Sequence, residues 1–503
     1  MKEENKKVDF IKNCILIVII AIIAFSAIFT NSISNLDEIW NFNFARNIAD
    51  GLIPYKDFNI VQMPLVSMIC GLFLKIFGTE IIVMRSLAVI LMCAIFFIEY
   101  KVLRKLVPEN AAFLVTAIFL FLFKDVMCID YNYAVLLIAL IMMLIELNHN
   151  KKDMFEYDFK YNFCLGLLGG LAILCKQTTG FAVATACTGY KIFAIRKKED
   201  IQPFLKIAFT RLLGFCIPVL IFVIYLLANN AFSDFVDYAI LGIKTFSNKI
   251  EYTNLFKIEL VSYLSVVVPI ALVVFFVSLF RKNAKYEEYV IFAYAISTFI
   301  VVFPISDQIH FLIGAMISII GIAYWIYESF QNGREELFGK RIKVACYVVI
   351  NFLAVFALLL LTWNSILKIN KEYISVKKET ELAHFKGVPE DEGLKEMIQI
   401  VDDYILEKQS EGKKVYILDS TAGIYYIPLN QYNKDYDMFL KGNLGSKGED
   451  GIIERIDTEE NAIYLLKKSG LNWQNPGDVR NYIIDNLEYS EDVLCFWTFN
   501  SKI

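Results

Sequence analysis

Two adjacent carboxylates, Asp37 and Glu38, stand directly after the first long apolar run, in the segment Asn35-Leu36-Asp37-Glu38-Ile39-Trp40. Carboxylates beside hydrocarbon are costly to keep, so their presence needs a reason. One reason is local: Asp37 or Asn35 caps a helix that continues through Ile39–Ile48. The other is chemical: a carboxylate placed to take the proton of a hydroxyl as that hydroxyl attacks. The same choice recurs along the chain. Asp130 heads an apolar run and reads either as a cap or as a second acid. Arg85 and Lys176 interrupt apolar runs, where a cation reaches water or meets an anion. Asp307 and His310 sit in a tight turn, Phe303-Pro304-Ile305-Ser306-Asp307-Gln308-Ile309-His310. Each residue alone has a bland explanation. Together they suit attack on a lipid-anchored phosphate ester, with cations for the phosphate, a carboxylate for the nucleophile and aromatics for the lipid.

The elements that must position these groups are membrane spans. The chain has 503 residues, 57% hydrophobic and 20% charged, with a mean hydropathy of +0.51. Soluble chains carry about 45–50% apolar and about 25% charged residues. An ordinary cytosolic enzyme, a secreted disulfide scaffold and a disordered hub are therefore excluded, and the net charge of −4 argues against nucleic acid as a partner. Nine of the ten cysteines precede residue 364, no Cys-x-x-Cys pair occurs, and the three histidines are too few for a His-rich metal site. Spanning helices are expected near 14–30, 81–100, 107–123, 129–147, 161–175, 178–195, 212–228, 260–280, 289–305, 309–327 and 344–363. The run Pro64–Phe77 is too short to span. It opens at Pro and closes before Gly78, and reads as a re-entrant or interface-lying helix.

Charge decides the topology. With 64–77 not crossing, alternate loops collect Lys2/Lys6/Lys7/Lys12, Lys101/Arg104/Lys105, Lys151/Lys152/Lys160, Arg196/Lys197/Lys198, Arg281/Lys282/Lys285 and Arg334/Lys340/Arg341. The expectation is a polytopic α-helical membrane protein of the cell membrane. It has a cytoplasmic N-terminus, a first helix retained as an anchor, eleven crossings, and an outer loop at 31–80. The transmembrane domain is residues 1–363, and residues 364–503 form a small α/β domain outside the cell. The polar residues named above then cluster at outer ends.

The ordered motifs resemble a known family. Asp37-Glu38, Ala45-Arg46, Gly51 and Pro54, Pro64-Leu65, the short helix to Gly78, and Arg85 are similar to the first loop of GT-C glycosyltransferases. The bacterial branch of protein O-mannosyltransferases and aminoarabinose transferases resembles it best. Gly-Leu-Ala-x-Leu-x-Lys ending at Lys176, and Pro304, Asp307 and His310, also resemble that branch, so the likeness runs over about residues 10–330. The resemblance implies a GT-C fold and transfer of a sugar from a polyprenyl-phosphate donor, on the outer face, to an envelope glycan, lipid or protein. It implies Asp37 as catalytic base with Glu38 beside it, Asp130 as a second acid, and Arg85 and Lys176 on the donor phosphate. Arg46, Tyr55, Gln177, Asp307 and His310 are the further substrate contacts it suggests. Gln62-Met63 departs from a Glu-Lys pair in some relatives, which shifts phosphate contact to Lys56 or Lys176. A single displacement would invert the anomeric carbon. A divalent metal, Mg or Mn, held by Asp37 and Asp130 is compatible with two carboxylates but not specified by them.

In the tail, Leu394–Lys408 is an amphipathic helix, Lys414–Asp419 and Ala462–Leu466 are strands, Pro476–Leu487 a helix and Asp492–Thr498 a last strand. This alternation favours a parallel sheet. Gly442–Gly448 lacks the Gly-Lys-Ser/Thr of a phosphate loop and reads as an ordinary loop. Tyr425, Tyr426, Tyr432, Tyr436 and Trp473 suit either sugar stacking or packing, and the domain is expected to handle the acceptor. Two other functions stay open: polymerisation of lipid-linked glycan repeats, and transport of lipid-linked sugars. Transport is disfavoured because no internal repeat or mid-membrane charge pattern is visible.

Overall fold

The computed structural model describes residues 2–33, 36–149, 154–245, 250–281, 283–332, 340–375, 380–433, 436–469 and 475–502. Asn35, Lys151, Lys152, Lys282, Arg334 and Trp473 lie outside them. The first helices are α1 (Lys2–Phe29), α2 (Leu36–Ala49), α3 (Leu65–Phe77), α4 (Ile81–Leu106), α5 (Glu109–Phe123) and α6 (Tyr131–Asn148). Then come α7 (Phe159–Cys175), α8 (Gln177–Gly189), α9 (Ile201–Ala228), α10 (Phe232–Phe235) and α11 (Ser262–Ser278). The series closes with α12 (Tyr286–Phe299), α13 (Gln308–Asn332) and α14 (Lys340–Ile369). Every apolar run read as a span is helical. Six of them, α1, α4, α6, α9, α13 and α14, are long and apolar enough to cross a membrane among the described residues; α3, α5, α7 and α11 are apolar but shorter. α3 begins after Pro64 and stops at Gly78, whose φ of 105° only glycine adopts freely.

The chain divides into two compact units. One comprises Met1–Ile28, Ala88–Ile221 and Lys249–Ile374. In it α14 packs on α5, α12 on α13, and α7 on α8. The α7–α8 turn is tight because Gly180 lets the backbones touch: a Cβ there would lie 2.1 Å from the Ala172 carbonyl oxygen. A charged pair is sealed inside this unit. The Arg211 guanidinium meets Glu146 at 3.0 Å, with side-chain exposures of 3% and 0%. Hydroxyls of Tyr190 and Tyr286 donate to the same carboxylate at 2.9 and 2.7 Å, and Asn162 accepts from Arg211 Nε at 2.9 Å. Charges this deep survive only when paired and bonded in this way.

The other unit comprises Phe29–Leu87, Phe222–Asn248 and Ser375–Ile503, so the first long loop and the C-terminal α/β part belong to one body. The latter contains α15 (Glu392–Ser410), β1 (Lys414–Leu418), α16 (Gly423–Tyr426), α17 (Gly448–Thr458), β2 (Ala462–Lys467), α18 (Gly477–Asn486), β3 (Glu488–Val493) and β4 (Phe496–Asn500). The sheet order is β1-β2-β4-β3. β1 and β2 are parallel, but β4 runs antiparallel to both β2 and β3, so the sheet is mixed rather than parallel. The reason is local: the stretch expected as one strand, Asp492–Thr498, turns back at Leu494-Cys495, and a two-residue turn can only join antiparallel strands. Leu418, Tyr464, Leu466, Ile452, Val479 and Phe499 share the core against α17 and α18.

Candidate functional site

Asp37 and Glu38 occupy the first turn of α2, where the helix dipole favours negative charge. Their environments differ. Glu38 is buried and accepts a fork of bonds from Arg85, at 2.8 Å from Nε and 2.9 Å from Nη2. Arg85 spends its remaining donors on the carbonyls of Asn31 and Ser32, at 2.8 and 3.3 Å, and is 1% exposed. The guanidinium expected on a donor phosphate is thus enclosed, where it ties the start of α4 to the α1–α2 connection. Glu38 is fixed, and Asp37, one residue earlier and half-buried, is the acid of this pair that retains access to solvent.

The rest of this first long loop is fastened to the C-terminal part of its unit. Arg46 is 0% exposed. It donates to the carbonyls of Ile427 and Gln431 at 3.3 and 2.5 Å and to Asn43 Oδ1 at 3.2 Å, and lies 4.9 Å from the Tyr432 ring centre. Burial pulls its basicity down while Tyr432, Asp437 and Asp50 hold it up. Asn43 and Asn47 donate to Asp437 at 3.2 and 3.5 Å, and burial pushes that carboxyl up to about 7 against the pull of Arg46. Arg46 is therefore a fastener between α2 and the tail, with no surface left for substrate. Tyr55 has a similar part: it is 3% exposed at a φ of 72°, and its hydroxyl donates to the Gln62 carbonyl at 2.8 Å. Burial holds that hydroxyl well above its ordinary pKa. Gln62 is buried too. Lys56 is exposed, its Nζ 3.1 Å from the Asn229 carbonyl oxygen, and stays available to an anion. Tyr425, Tyr426 and Tyr436 are buried core residues rather than stacking platforms.

In the other unit a second polar group assembles. Asp130 is the N-cap of α6 and accepts from the Asn132 amide at 2.6 Å. Lys176 is the single extended residue between α7 and α8, with φ −152° and ψ 122°. Its Nζ donates to Asn132 Oδ1 at 2.6 Å and stands 5.2 Å from the Tyr131 ring centre. Asp130 is 3% exposed, and burial pushes its carboxyl up; Lys176, the Asn132 amide and His310 pull it back. Asp307 caps α13 by accepting from the His310 amide at 2.9 Å, and its Oδ1 lies 2.8 Å from His310 Nδ1. Gln177 opens α8 beside Lys176, half-buried. The sequence thus named the members of this group, Asp130, Lys176, Asp307 and His310, but not Asn132. An Asn two residues after a capping Asp was the available signal.

The donor set does not suit a metal. Among the described residues no three His, Cys, Asp or Glu side chains gather as ligands, and Asp130 accepts from the Asn132 amide and feels the charges of Lys176 and His310.

Comparison with known proteins follows this geometry. Residues 61–222 match the family described as dolichyl-phosphate-mannose-protein mannosyltransferase, a stretch that includes Arg85, Asp130 and Lys176 but not Asp37. Among solved structures, ArnT from Cupriavidus metallidurans bound to undecaprenyl phosphate aligns with a TM-score of 0.57 at 11% identity, covering 97% of each chain. Its apo form aligns at 0.54 and 11% identity, over 99% of this chain and 98% of that one. No curated protein matches the sequence. At such identity the likeness establishes the fold. It is the GT-C fold, in a multi-pass membrane protein, and the resemblance to the mannosyltransferase and aminoarabinose transferase branch is borne out.

Proposed function

We propose that this GT-C chain is a membrane glycosyltransferase that moves a sugar from a polyprenyl-phosphate donor to a hydroxyl of an envelope acceptor on the outer face. The observation that carries this reading is the Asp130–Asn132–Lys176 group, inside the stretch matched by the mannosyltransferase family, with the His310 charge acting on Asp130 from outside that stretch. A fixed ammonium at the end of two apolar helices, beside a capped carboxylate, is suited to an anionic leaving group at a membrane surface. The likeness in fold to a protein seen with undecaprenyl phosphate supports the donor class.

In this reading Asp37 accepts the proton of the acceptor hydroxyl as its oxygen bonds to the anomeric carbon. The bond from that carbon to the phosphate oxygen breaks, and polyprenyl phosphate departs with its charge met by Lys176. Lys56 steadies the phosphate from the loop. The carbon inverts. Glu38 and Arg85 act as positioning residues, since their bonds set where the first turn of α2 begins. Asn132 orients Lys176. The N-terminus is cytoplasmic and the tail outside, as the loop charges require.

The test is transfer in nanodiscs from a panel of polyprenyl-phosphate sugars. Lys176→Met is expected to lower kcat by about 10²–10³-fold, the cost of removing one fixed electrostatic contact at a developing charge. Lys176→Arg should recover part of it. Full activity in Lys176→Met would overturn the assignment.

A further inference from the structure

The carboxyl end of the β1–β2 pair lies against α2. Trp40 Nε1 donates to the Ser420 carbonyl at 2.6 Å, and Gly423 at the head of α16 approaches Ile39 and Asn43 closely enough that a Cβ would meet them at 3.5 and 3.7 Å. Trp40 is three residues after Asp37, so the two share a helix face. The turn after β1, Asp419-Ser420-Thr421, is built around the Asp419 carboxylate, which accepts from the Thr421 amide at 3.2 Å. The same oxygen holds Lys467 Nζ at 3.1 Å, from the end of the neighbouring parallel strand. Asp419 is 3% exposed at its side chain, while Lys467 keeps 25%, and Thr421 and Trp40 are half-buried. Ligands of open α/β sheets bind outside the carboxyl ends of strands. Here that end presents a half-open indole, a fixed ammonium and the Thr421 hydroxyl, whose proton goes to Asp419 and whose oxygen can still accept, next to the helix that bears the proposed base.

We infer that Trp40, Thr421 and Lys467 form a binding subsite for a neutral saccharide, the acceptor of the transfer; this rests on the proposed function. The charge arithmetic favours a sugar over a phosphate. Lys467 is neutralised by Asp419, so the pair offers no net cation to draw an anion, yet the ammonium still has protons to donate to sugar oxygens. The indole offers an apolar face to the C–H side of a pyranose. Asp419 is a positioning residue, because it touches Lys467 and Thr421 rather than solvent.

Direct binding separates this from catalysis. The full chain in nanodiscs is titrated with methyl glycosides and disaccharides of neutral hexose and N-acetylhexosamine by saturation-transfer NMR, with inorganic phosphate as a second arm. Wild type should bind a saccharide. Lys467→Met should weaken it by about tenfold, the worth of one hydrogen bond from a charged donor. Trp40→Phe, which keeps an aromatic ring, should weaken it less. Phosphate should not distinguish wild type from Lys467→Met. The subsite is refuted if wild type binds no saccharide, if Lys467→Met and Trp40→Phe both bind as wild type does, or if Lys467→Met affects only phosphate. Loss of transfer in Asp37→Asn bears on the proposed base alone, so failure of either idea is read separately.

Discussion

At the residue scale, the two neighbouring acids Asp37 and Glu38 show how burial assigns roles that sequence leaves equal. Glu38 is locked by Arg85 in two bonds of 2.8 and 2.9 Å, whereas Asp37 keeps access to solvent. Arg85→Met would remove the two-bond ion pair from the buried Glu38 carboxylate, a change that costs about 3–5 kcal/mol of stability. Thermal unfolding in detergent checks it, and Lys56→Ala, at an exposed cation, should shift stability by less than about 1 kcal/mol. Asp437 gives a pH prediction. Its pKa is raised to about 7 when folded, so the folded state binds the extra proton between the ordinary carboxylate value and 7. Stability from this group is therefore present at low pH and lost as pH rises towards 7. Asp437→Asn should gain on wild type between pH 5 and pH 8, by about 3 kcal/mol, with the gain levelling off above pH 7. A stability difference that stays flat across that range would contradict the assignment. Asp402, pushed to about 8 by burial and by Asp403, contributes in the same direction.

At the element scale, the helices were legible because their apolar runs are long and their stops are chemical: Pro64 and Gly78 around α3, Asp130 before α6, Lys176 between α7 and α8. The tasks of Arg46 and Arg85 were not legible. A cation on an apolar stretch looks the same in sequence whether it waits for a phosphate or holds carbonyls 380 residues away, and only the fold distinguishes the two. The sheet was half legible. Periodicity marked β1 and β2, but Asp492–Thr498 hides a hairpin whose turn, Leu494-Cys495, carries none of the Gly or Asn that usually announces one; Leu494 itself takes a φ of 48°. The Gly180 contact supports a sharper expectation. Gly180→Val would drive α8 off the Ala172 carbonyl, move Lys176 with it, and lower transfer together with stability, read by activity and unfolding on the same sample.

At the scale of the whole molecule, the first long loop and the C-terminal α/β part form one unit, and the second polar group belongs to the other. The topology predicts that Glu488→Cys is labelled from outside intact cells by an impermeant maleimide, and that Lys105→Cys is labelled only after permeabilisation, each scored above the signal of the native cysteines. Equal labelling of the two in intact cells would reverse the sidedness. The central claim is met most directly by one assay in nanodiscs: release of polyprenyl phosphate and sugar transfer by wild type and Asp37→Asn across a panel of polyprenyl-phosphate sugars, with lipid binding measured in parallel. The account predicts that one donor is turned over, that Asp37→Asn loses about 10²–10⁴-fold in rate, and that lipid binding is unchanged. Undiminished transfer by Asp37→Asn, or turnover of no donor by a wild type that still binds the lipid, would contradict it.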